Sequence, residues 1–291
     1  MAQGQVAPVL RQVVARLAAA GVASPRADAE MLVAHVLGVT RSRLLTAPDL
    51  SHEQLADLAE LVRRRVAREP LQHLTGTAPF RQLELAVGPG VFVPRPETEL
   101  VVQWGLRWLA GAGAGAGVAA SAPVVVDLCA GSGAIALAIA GELPGSRVYA
   151  VEREPAALEW LRRNAAGHPV IVVAGDATDA TTLSTLDGQV DLVLCNPPYV
   201  PAGAAAALPP EVTEHDPAVA VYAGPDGLDV IRPLVARVAG LLGTGGAFAV
   251  EHDEGQGAAV PALLHATGCF TGGTGHPDLA GRARCTAAVR A

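Results

Sequence analysis

The segment Asn196-Pro197-Pro198-Tyr199 combines residue types that can hold and orient a planar nitrogen group. It follows the apolar run 192–195, which is typical of a buried parallel strand. The two prolines force the chain out of the sheet, because they cannot donate ladder hydrogen bonds. The side-chain oxygen of Asn196 and the carbonyl of Pro197 are then two acceptors on a stiff turn. We predict that they hold both hydrogens of a planar NH2 group and make its nitrogen pyramidal and nucleophilic.

The aromatic residue of this segment adds a second element of recognition. Tyr199 is predicted to stack on the planar group, a geometry that aromatic rings favour. An Asn-Pro dipeptide alone is more typical of an ordinary turn. Its place after a buried strand favours a site, because ligands of open α/β sheets bind beyond the carboxyl ends of strands. We therefore predict that Asn196, Pro197 and Tyr199 are catalytic, and that these residues together with Pro198 bind the acceptor substrate.

A glycine-rich loop after an earlier apolar run is the candidate cofactor site. Residues 127–133 read Asp-Leu-Cys-Ala-Gly-Ser-Gly, and such small residues allow the backbone to approach a ligand closely. Glu152 ends the next predicted strand, where an acid can accept both ribose hydroxyls. Asp176 follows the third predicted strand, at a position suited to an adenine edge. The predicted cofactor-binding residues are Asp127, Cys129, Ala130, Gly131, Ser132, Gly133, Glu152, Asp176, Ala177 and Asn196.

The charge of this loop distinguishes between two cofactors. Gly131, Gly133 and Ala136 loosely match the dinucleotide fingerprint. Asp127, however, would repel a pyrophosphate. S-adenosyl-L-methionine has no phosphate and carries a sulfonium and an ammonium, which an acidic rim tolerates. The sequence therefore favours S-adenosyl-L-methionine over NAD, and a plain glycine turn with solvated acids is the remaining alternative.

Strand–helix alternation from residue 123 onward is the pattern that must position both sites. It predicts an α/β fold with a Rossmann-like, doubly wound parallel sheet. A helix over 97–109 and a low-complexity alanine- and glycine-rich loop over 110–122 precede it. The predicted strands are 124–128, 147–152, 170–174, 190–195, 246–251, 268–274 and 283–289. The predicted helices are 134–142, 155–166, 226–242 and 255–267.

The first 75 residues have a different pattern, which predicts a small helical bundle. Its predicted helices cover 4–20, 25–37, 41–45 and 51–68. The run Arg63-Arg64-Arg65 is typical of a solvated helix face, with an RNA or ribosome contact as the alternative. Alternating apolar residues over 79–93 predict a β-hairpin with residues 88–90 as its turn. We therefore assign 1–75 as a substrate-binding helical domain, 76–96 as a hairpin linker and 97–291 as the catalytic domain.

Composition limits the partners and the compartment. The chain has 291 residues, of which 51% are hydrophobic, and a formal net charge of -7. Residues 1–75 carry nine Arg against seven Asp and Glu, and the remainder carries twelve against 21. So acidic a catalytic domain is a poor binder of nucleic acid by itself. The four cysteines lack a C-x-x-C spacing, which indicates free thiols in a reducing cytoplasm and no metal site. Neither a signal peptide nor a membrane span is expected.

Motifs along nearly the whole chain resemble those of the release factor glutamine methyltransferases, the PrmC or HemK family. The stretch Pro94-Arg95-Pro96-Glu97-Thr98-Glu99 is the most specific of them, because adenine methyltransferases need no such segment. The small helical N-terminal domain also fits this family. The matching stretches are 70–76, 92–99, 127–133, 196–199, 214–217, 224–228, 251–252 with Gln256, and 278–282.

The resemblance implies a class I S-adenosylmethionine-dependent methyltransferase. Its expected reaction is methyl transfer to the side-chain nitrogen (N5) of the glutamine in the Gly-Gly-Gln motif of bacterial class 1 peptide chain release factors. By position, Asn196 and the Pro197 carbonyl would hold the glutamine amide, and Tyr199 would pack on it. The expected enzyme is a cytoplasmic monomer with no direct nucleic-acid or membrane partner.

Three positions depart from the pattern of the family. Cys129 replaces a commoner glycine, Glu152 stands where Asp is usual, and Ala177 offers no aromatic surface for adenine. None of these departures removes the chemistry.

Other polar residues of the motifs, and other functions, stay open at this point. Glu97, Glu99, Glu251 and Arg282 are expected to cap helices, form ion pairs and make hydrogen bonds at the ends of the sheet, with closure of the substrate pocket as the alternative. Asp216, before a proline, is more typical of a turn than of a base. The alternative functions are an N6-adenine methyltransferase acting on DNA or RNA and a non-catalytic S-adenosylmethionine-binding adaptor.

Overall fold

The computed structural model describes residues 6–112 and 122–291 of the chain. The chain falls into two compact units, of which the helical unit comprises Met1–Thr77 and Pro209–His215. The sheet unit comprises Ala78–Leu208 and Asp216–Ala291. Most of the alanine- and glycine-rich loop predicted over 110–122 lies outside the described residues. Within the described ranges, no helix combines the length and apolarity that crossing a membrane requires.

Amphipathic helices build the helical unit, as the apolar spacing predicts. Leu17 and Leu32 are fully buried in its core. Ser51 begins one helix with a capping box, in which its hydroxyl accepts from the N–H of Gln54 and the Gln54 side chain accepts from the N–H of Ser51. The helices are Val6–Ala19, Pro25–Leu37, His52–Val66, Leu71–Thr75 and Pro210–His215, with a 3-10 turn at Arg41–Thr46. The last two α-helices were not predicted, because each is too short to show a helical period.

The arginine run of the helical unit is only partly solvated. Arg65 is buried, donates to Asp28 at 2.8 Å and lies 2.8 Å from a carboxylate oxygen of Glu211. Arg68 donates to both oxygens of the same Glu211, at 2.8 and 2.6 Å. The prediction of a solvated face is therefore wrong for Arg65, because acids from other segments of the unit surround it. The other arginines of the run also face acids, Arg63 pairing with Glu60 and Arg64 with Glu69.

A seven-stranded sheet forms the centre of the sheet unit. The strands are β1 Thr77–Phe80, β2 Leu83–Ala86, β3 Val124–Leu128, β4 Arg147–Glu152, β5 Val170–Ala174, β6 Val190–Cys195, β7 Leu242–Glu251, β8 Phe270–Pro277 and β9 Ala283–Arg290. The sheet has the order β5-β4-β3-β6-β7-β9-β8, while β1 and β2 pair separately. Neighbours from β5 to β7 are parallel, and β9 is antiparallel to both β7 and β8. This order confirms the doubly wound sheet.

Helices cover both faces of the sheet and bury one apolar layer on each. On one face, the helices Glu99–Arg107, Ala134–Glu142 and Pro155–Ala165 share a core with alternate residues of β3 and β6. On the other, Ile231–Leu241 and Ala259–Ala266 pack on the remaining residues of the same strands. Because the central strands are buried on both faces, they are continuous apolar runs, which is why they were predictable.

The predicted hairpin exists, but its predicted turn is wrong. The turn lies at residues 81–82, where Arg81 adopts a left-handed conformation with φ 51°. The second strand ends at Ala86, whose N–H and carbonyl both bond the side chain of Asn164 at 2.9 Å. Gly88 then lies against the ring of Trp160, where an added Cβ would stand 2.6 Å from the nearest ring atom. Residues 88–90 therefore follow the hairpin and do not form its turn.

Several other boundaries differ from the predictions for physical reasons. The helix predicted over 226–242 begins only at Ile231, because the Asp226 side chain accepts from the N–H of Leu228 and forms a turn before it. Strand β7 begins at Leu242, which pairs with Val190, four residues before its predicted start. The other helices in this part of the sheet unit are Pro96–Thr98 (3-10), Trp108–Ala112 (π), Ser184–Leu186, Ala202–Ala207 and Glu254–Gln256 (all 3-10), and Ala218–Val221 (α).

Candidate functional site

The site lies where the chain order of the sheet reverses. After β3 the chain adds β4 and β5 on one side and then returns to pair β6 on the other. Leu128 and Cys195 are direct partners at the carboxyl ends of β3 and β6. The glycine-rich loop and the Asn-Pro-Pro-Tyr turn therefore begin side by side, at the switch point where such sheets bind ligands.

Asp127 is the most deeply buried acid of the loop, with 1% of its surface exposed. One carboxylate oxygen accepts from the N–H of Ala136 at 3.0 Å and so fixes the start of the helix Ala134–Glu142. The other oxygen has no hydrogen-bond partner among the described residues. Burial raises the pKa of Asp127 well above its usual range, and the nearby Glu152 adds to this effect although the Ala136 N–H opposes it. A cationic ligand would satisfy the free oxygen.

The loop itself is shaped by residues with positive φ. Cys129 has φ 61°, a left-handed conformation that glycine adopts more easily, so a cysteine here carries local strain. Gly133 has φ 88°, and a Cβ there would lie 2.6 Å from a methyl carbon of Leu161. The carbonyl of Ser132 accepts from the side chain of Asn164 at 2.9 Å. The backbone of the loop is thus held in place, and its residues Ala130 and Ser132 are buried.

Glu152 braces the loop more than the sequence predicts. Its carboxylate accepts three backbone N–H groups at 2.8 Å, from Gly131, Arg153 and Glu154. A carboxylate offers about four lone-pair sites. It therefore has capacity for about one further donor, and not for both hydroxyls of a ribose at full strength.

Asp176 and Ala177 complete this edge of the site, which we call the loop rim (residues 127–133, Glu152, Asp176 and Ala177). Asp176 accepts from the N–H and hydroxyl of Thr178 and pairs with Arg153 at 3.1 Å. Although partial burial alone would raise it, these contacts lower the pKa of Asp176. Ala177 is buried in the core beside the rim, so it offers no surface for stacking.

The Asn-Pro-Pro-Tyr turn is part of a connected set of side chains, which we call the amide cluster (Thr98, Asn196, Tyr199 and Glu251). The Asn196 NH2 donates to the hydroxyl oxygen of Thr98 at 2.9 Å. The Thr98 hydroxyl donates to one oxygen of Glu251 at 2.7 Å, and the Tyr199 hydroxyl donates to the other at 2.9 Å. Because the NH2 of Asn196 is held by Thr98, its side-chain oxygen is directed away as an acceptor.

Burial sets the ionisation of the amide cluster. Glu251 is 1% exposed, and burial raises its pKa although the bonds from Thr98 and Tyr199 oppose the effect. Burial and the adjacent Glu251 also raise the pKa of Tyr199, which stays a neutral donor. Arg284 lies beside both side chains, and its positive charge opposes the rise of both pKa values without reversing it. Glu251 thus has both oxygens engaged and is not placed to act as a base.

Contacts from Gln256 and Gly227 hold the backbone of the turn. Gln256 donates to the carbonyls of Tyr199 and Asp226, both at 2.9 Å. Gly227 lies so close that a Cβ would stand 2.1 Å from the Tyr199 carbonyl oxygen. Beyond the turn, Val200 forms an isolated parallel bridge with Tyr222. Pro197 is buried, so the turn is held by packing as well as by these contacts.

The structure thus brings the predicted residues together at one edge, but it also adds residues that the sequence analysis missed. Thr98, Gln256 and Asn164 bond Asn196, the Tyr199 carbonyl and the Ser132 carbonyl, and Arg284 lies beside Tyr199. Thr98 lies inside the Pro-Arg-Pro-Glu-Thr-Glu stretch, where it was expected only to belong to the first turn of a helix. The ion-pair interpretation is confirmed for Arg282, which contacts Asp278 at 2.9 Å. Asp216 forms a buried ion pair with Arg95.

The fold and the site define the class of the protein as a class I S-adenosylmethionine-dependent methyltransferase. Residues 116–209 match the family model of the methyltransferase small domain, and residues 8–76 match that of the PrmC N-terminal domain. The solved structure of the hMettl16 catalytic domain in complex with MAT2A 3'UTR hairpin 6 is similar in fold, with a TM-score of 0.55 at 14% identity. That similarity covers 83% of this chain and 82% of the other.

Relatives identified by sequence share a much higher identity with this chain than that structure does. The release factor glutamine methyltransferase of Mycolicibacterium smegmatis is 52% identical over 95% of this chain and 94% of its own. That of Streptomyces coelicolor is 50% identical, over 96% of each chain. The chain belongs to the release factor glutamine methyltransferase family, as its motifs predicted. The 4-amino-L-phenylalanine/4-methylamino-L-phenylalanine methyltransferase of Streptomyces pristinaespiralis is also similar, at 39% identity over 98% of this chain and 95% of its own.

Proposed function

We propose that this protein methylates the side-chain nitrogen (N5) of the glutamine in the Gly-Gly-Gln motif of bacterial class 1 release factors. Relatives at 52% and 50% identity over nearly the whole chain carry the name of this activity. The observation that carries the proposal is the bond from the Asn196 NH2 to Thr98, because it leaves the Asn196 oxygen free to accept from an NH2 group. A primary amide is such a group.

The cofactor of this proposal is S-adenosyl-L-methionine, which supplies an electrophilic methyl group on its sulfonium. The residues of the loop rim fit its chemistry. The free oxygen of Asp127 suits the ammonium of its amino-acid part, and a cation there would lower the raised pKa of the acid. An added Cβ at Gly131 would have no atom within 4 Å, so the loop leaves space there for close approach of the ligand. Glu152 has capacity for one ribose hydroxyl, and Asp176 with Ala177 would border the adenine.

The amide cluster then prepares the acceptor nitrogen. The Asn196 oxygen and the Pro197 carbonyl accept its two hydrogens, so that its lone pair turns toward the methyl group. Tyr199 packs on the plane of the amide. Catalysis comes from orientation of the two reactants and from acceptors placed where positive charge develops on nitrogen. The proton released after transfer passes to water, since both oxygens of Glu251 are already engaged.

The helical unit is the part of the chain that we propose to bind the release factor. We keep 1–75 as this domain, 76–96 as the linker and 97–291 as the catalytic domain. We further propose that the enzyme acts as a monomer in the cytoplasm, where its four free thiols remain reduced. The pairing of Arg63, Arg64 and Arg65 with acids supports a protein partner over RNA, because few of their charges are left for phosphates.

The test is methyl transfer from labelled S-adenosyl-L-methionine to a purified bacterial class 1 release factor. The control is the same factor with the glutamine of its Gly-Gly-Gln motif changed to alanine. We expect label on the first and none on the second. Label on both would place the reaction at another residue and overturn the proposal.

Two further acceptors make the test decisive. One is 4-amino-L-phenylalanine, whose aryl NH2 is also planar and whose methyltransferase is 39% identical to this chain. The other is DNA or RNA containing adenine. Transfer to either of these with none to the release factor would reassign the substrate. Binding of S-adenosyl-L-methionine without transfer to any acceptor would favour the non-catalytic adaptor.

A further inference from the structure

We propose that Thr98 and Glu251 are positioning residues that fix which way the side-chain amide of Asn196 points. The inference rests on the proposed function, because it concerns the Asn196 oxygen as the acceptor for the substrate NH2. Thr98 lies 98 positions before Asn196, and Glu251 lies 153 positions after Thr98, so the fold alone brings them together. Neither residue contacts the acceptor in this scheme.

The Thr98 hydroxyl carries a single proton, which can be donated to only one partner at a time. A hydroxyl donates one hydrogen bond, and an ionised carboxylate can only accept. The Thr98 proton is therefore committed to Glu251, at 2.7 Å. Toward Asn196 the same oxygen can only accept, so it selects the NH2 end of the amide, at 2.9 Å.

Without this commitment the amide would lose its direction. A hydroxyl free to rotate could donate to the Asn196 oxygen, and the amide would then present its NH2 to the NH2 of the substrate. Two donors facing each other cannot form a hydrogen bond. The carboxylate of Glu251, which two hydrogen bonds connect to Asn196 through Thr98, thus decides whether Asn196 offers the substrate an acceptor or a donor.

The same carboxylate also fixes the aromatic residue of the turn. Its second oxygen accepts from the Tyr199 hydroxyl at 2.9 Å, which sets the position of the ring. Thr98 is 4% exposed and Glu251 is 1% exposed, so water does not compete for these bonds. One buried acid therefore orients both polar side chains of the Asn-Pro-Pro-Tyr turn.

The test compares three threonine variants in methyl transfer to a release factor. Thr98→Val removes the hydroxyl but keeps the shape, and we expect kcat to fall about tenfold or more, the equivalent of one lost orienting hydrogen bond. The KM for S-adenosyl-L-methionine should stay within about twofold, because the loop rim is unchanged. Thr98→Ser, which keeps the hydroxyl, should recover most of kcat.

Thr286→Val is the matched control. Thr286 is as buried as Thr98 and lies in the same unit, but its hydroxyl bonds His252 and not Asn196. We expect this variant to lose thermal stability and to keep kcat within about twofold of the wild type. Equal losses of kcat in Thr98→Val and Thr286→Val would show a merely structural role and overturn the inference.

A direct measurement on the wild-type protein keeps the inference falsifiable even if Thr98→Val does not fold. With asparagine labelled by 15N, the side-chain NH2 protons of Asn196 should show nuclear Overhauser contacts to the methyl group of Thr98. Their absence would mean that the oxygen faces Thr98, which overturns the inference. Because this readout needs no turnover, failure of the proposed function appears separately, as wild-type enzyme that does not label the release factor.

Discussion

The loop rim and the amide cluster lie at neighbouring strand ends but are held in different ways. The rim is held mostly by backbone N–H groups, such as the three that bind Glu152, two of which come from the residues directly after it. The cluster is held by side chains that are far apart in sequence, such as Thr98, Asn196 and Glu251. A local, backbone-built site tolerates changes of side chain better than a site in which each side chain orients the next.

The largest expected effect is that of Asn196→Ala, which removes the acceptor of the amide cluster. We expect kcat to fall by about a hundredfold to a thousandfold, as when one preorganised hydrogen-bond partner of a transition state is lost. Affinity for S-adenosyl-L-methionine, measured by calorimetry, should change little, because the rim is intact. Near-normal turnover would contradict the assignment of catalysis to the amide cluster and of cofactor binding to the loop rim.

Asp127→Asn tests the rim in the complementary way. The variant keeps an oxygen for the N–H of Ala136 but replaces the free carboxylate oxygen by an NH2 group. A charge-assisted hydrogen bond is worth roughly 1.5–3 kcal/mol, so affinity for S-adenosyl-L-methionine should fall by about tenfold to a hundredfold. At saturating cofactor, kcat should recover. A large loss of kcat with unchanged affinity would assign Asp127 to the chemistry and not to binding.

The pH dependence of kcat should report on the amide cluster through Glu251. The pKa of Glu251 is raised by burial from its ordinary value of 4.5, so the amide cluster is correctly polarised above the raised value. As the pH falls through it, the carboxyl becomes protonated and can donate to Thr98, and kcat should fall. The groups that face Glu251 are Thr98, Tyr199, Arg284, Glu97, Cys195 and Cys285.

Stability should follow the opposite course over the same window. A carboxyl whose pKa is raised on folding contributes stability below its unfolded pKa and loses it as the pH rises through the folded value. The free energy of unfolding should therefore fall while kcat rises. In Glu251→Gln the acid limb of kcat should disappear, and its persistence there would assign the limb to another group.

The smallest effect is expected for Asn164→Ala, which weakens the support of the rim from outside. The variant removes the bonds to Ala86 and to the carbonyl of Ser132. We expect the free energy of unfolding to drop by about 1–3 kcal/mol. At saturating cofactor, kcat should stay near that of the wild type. A clear loss of kcat under these conditions would show that the rim also depends on distant side chains.

The same contrast explains what could be predicted from the sequence. That the rim residues lie at one edge of the sheet could be predicted, because each ends or follows an apolar strand and parallel strands end at the same edge. Thr98 was missed because nothing local distinguishes a threonine that orients an asparagine from one that only belongs to the first turn of a helix. The hairpin turn was misplaced because Val91 and Val93 alternate like a strand, while their burial comes from a separate apolar cluster.

The Glu211 ion pairs of the helical unit limit how this protein can be divided. Although burial alone would raise it, the bonds from Arg68 and Arg65 lower the pKa of Glu211 to about 2, so it stays charged at any working pH. Glu211 reaches the helical unit from a second passage of the chain, residues 209–215. A fragment ending near residue 77 would lack this acid, and the buried Arg65 would lose one of its two acidic partners. The unit is therefore a discontinuous module, and moving it intact into another protein requires moving both passages together.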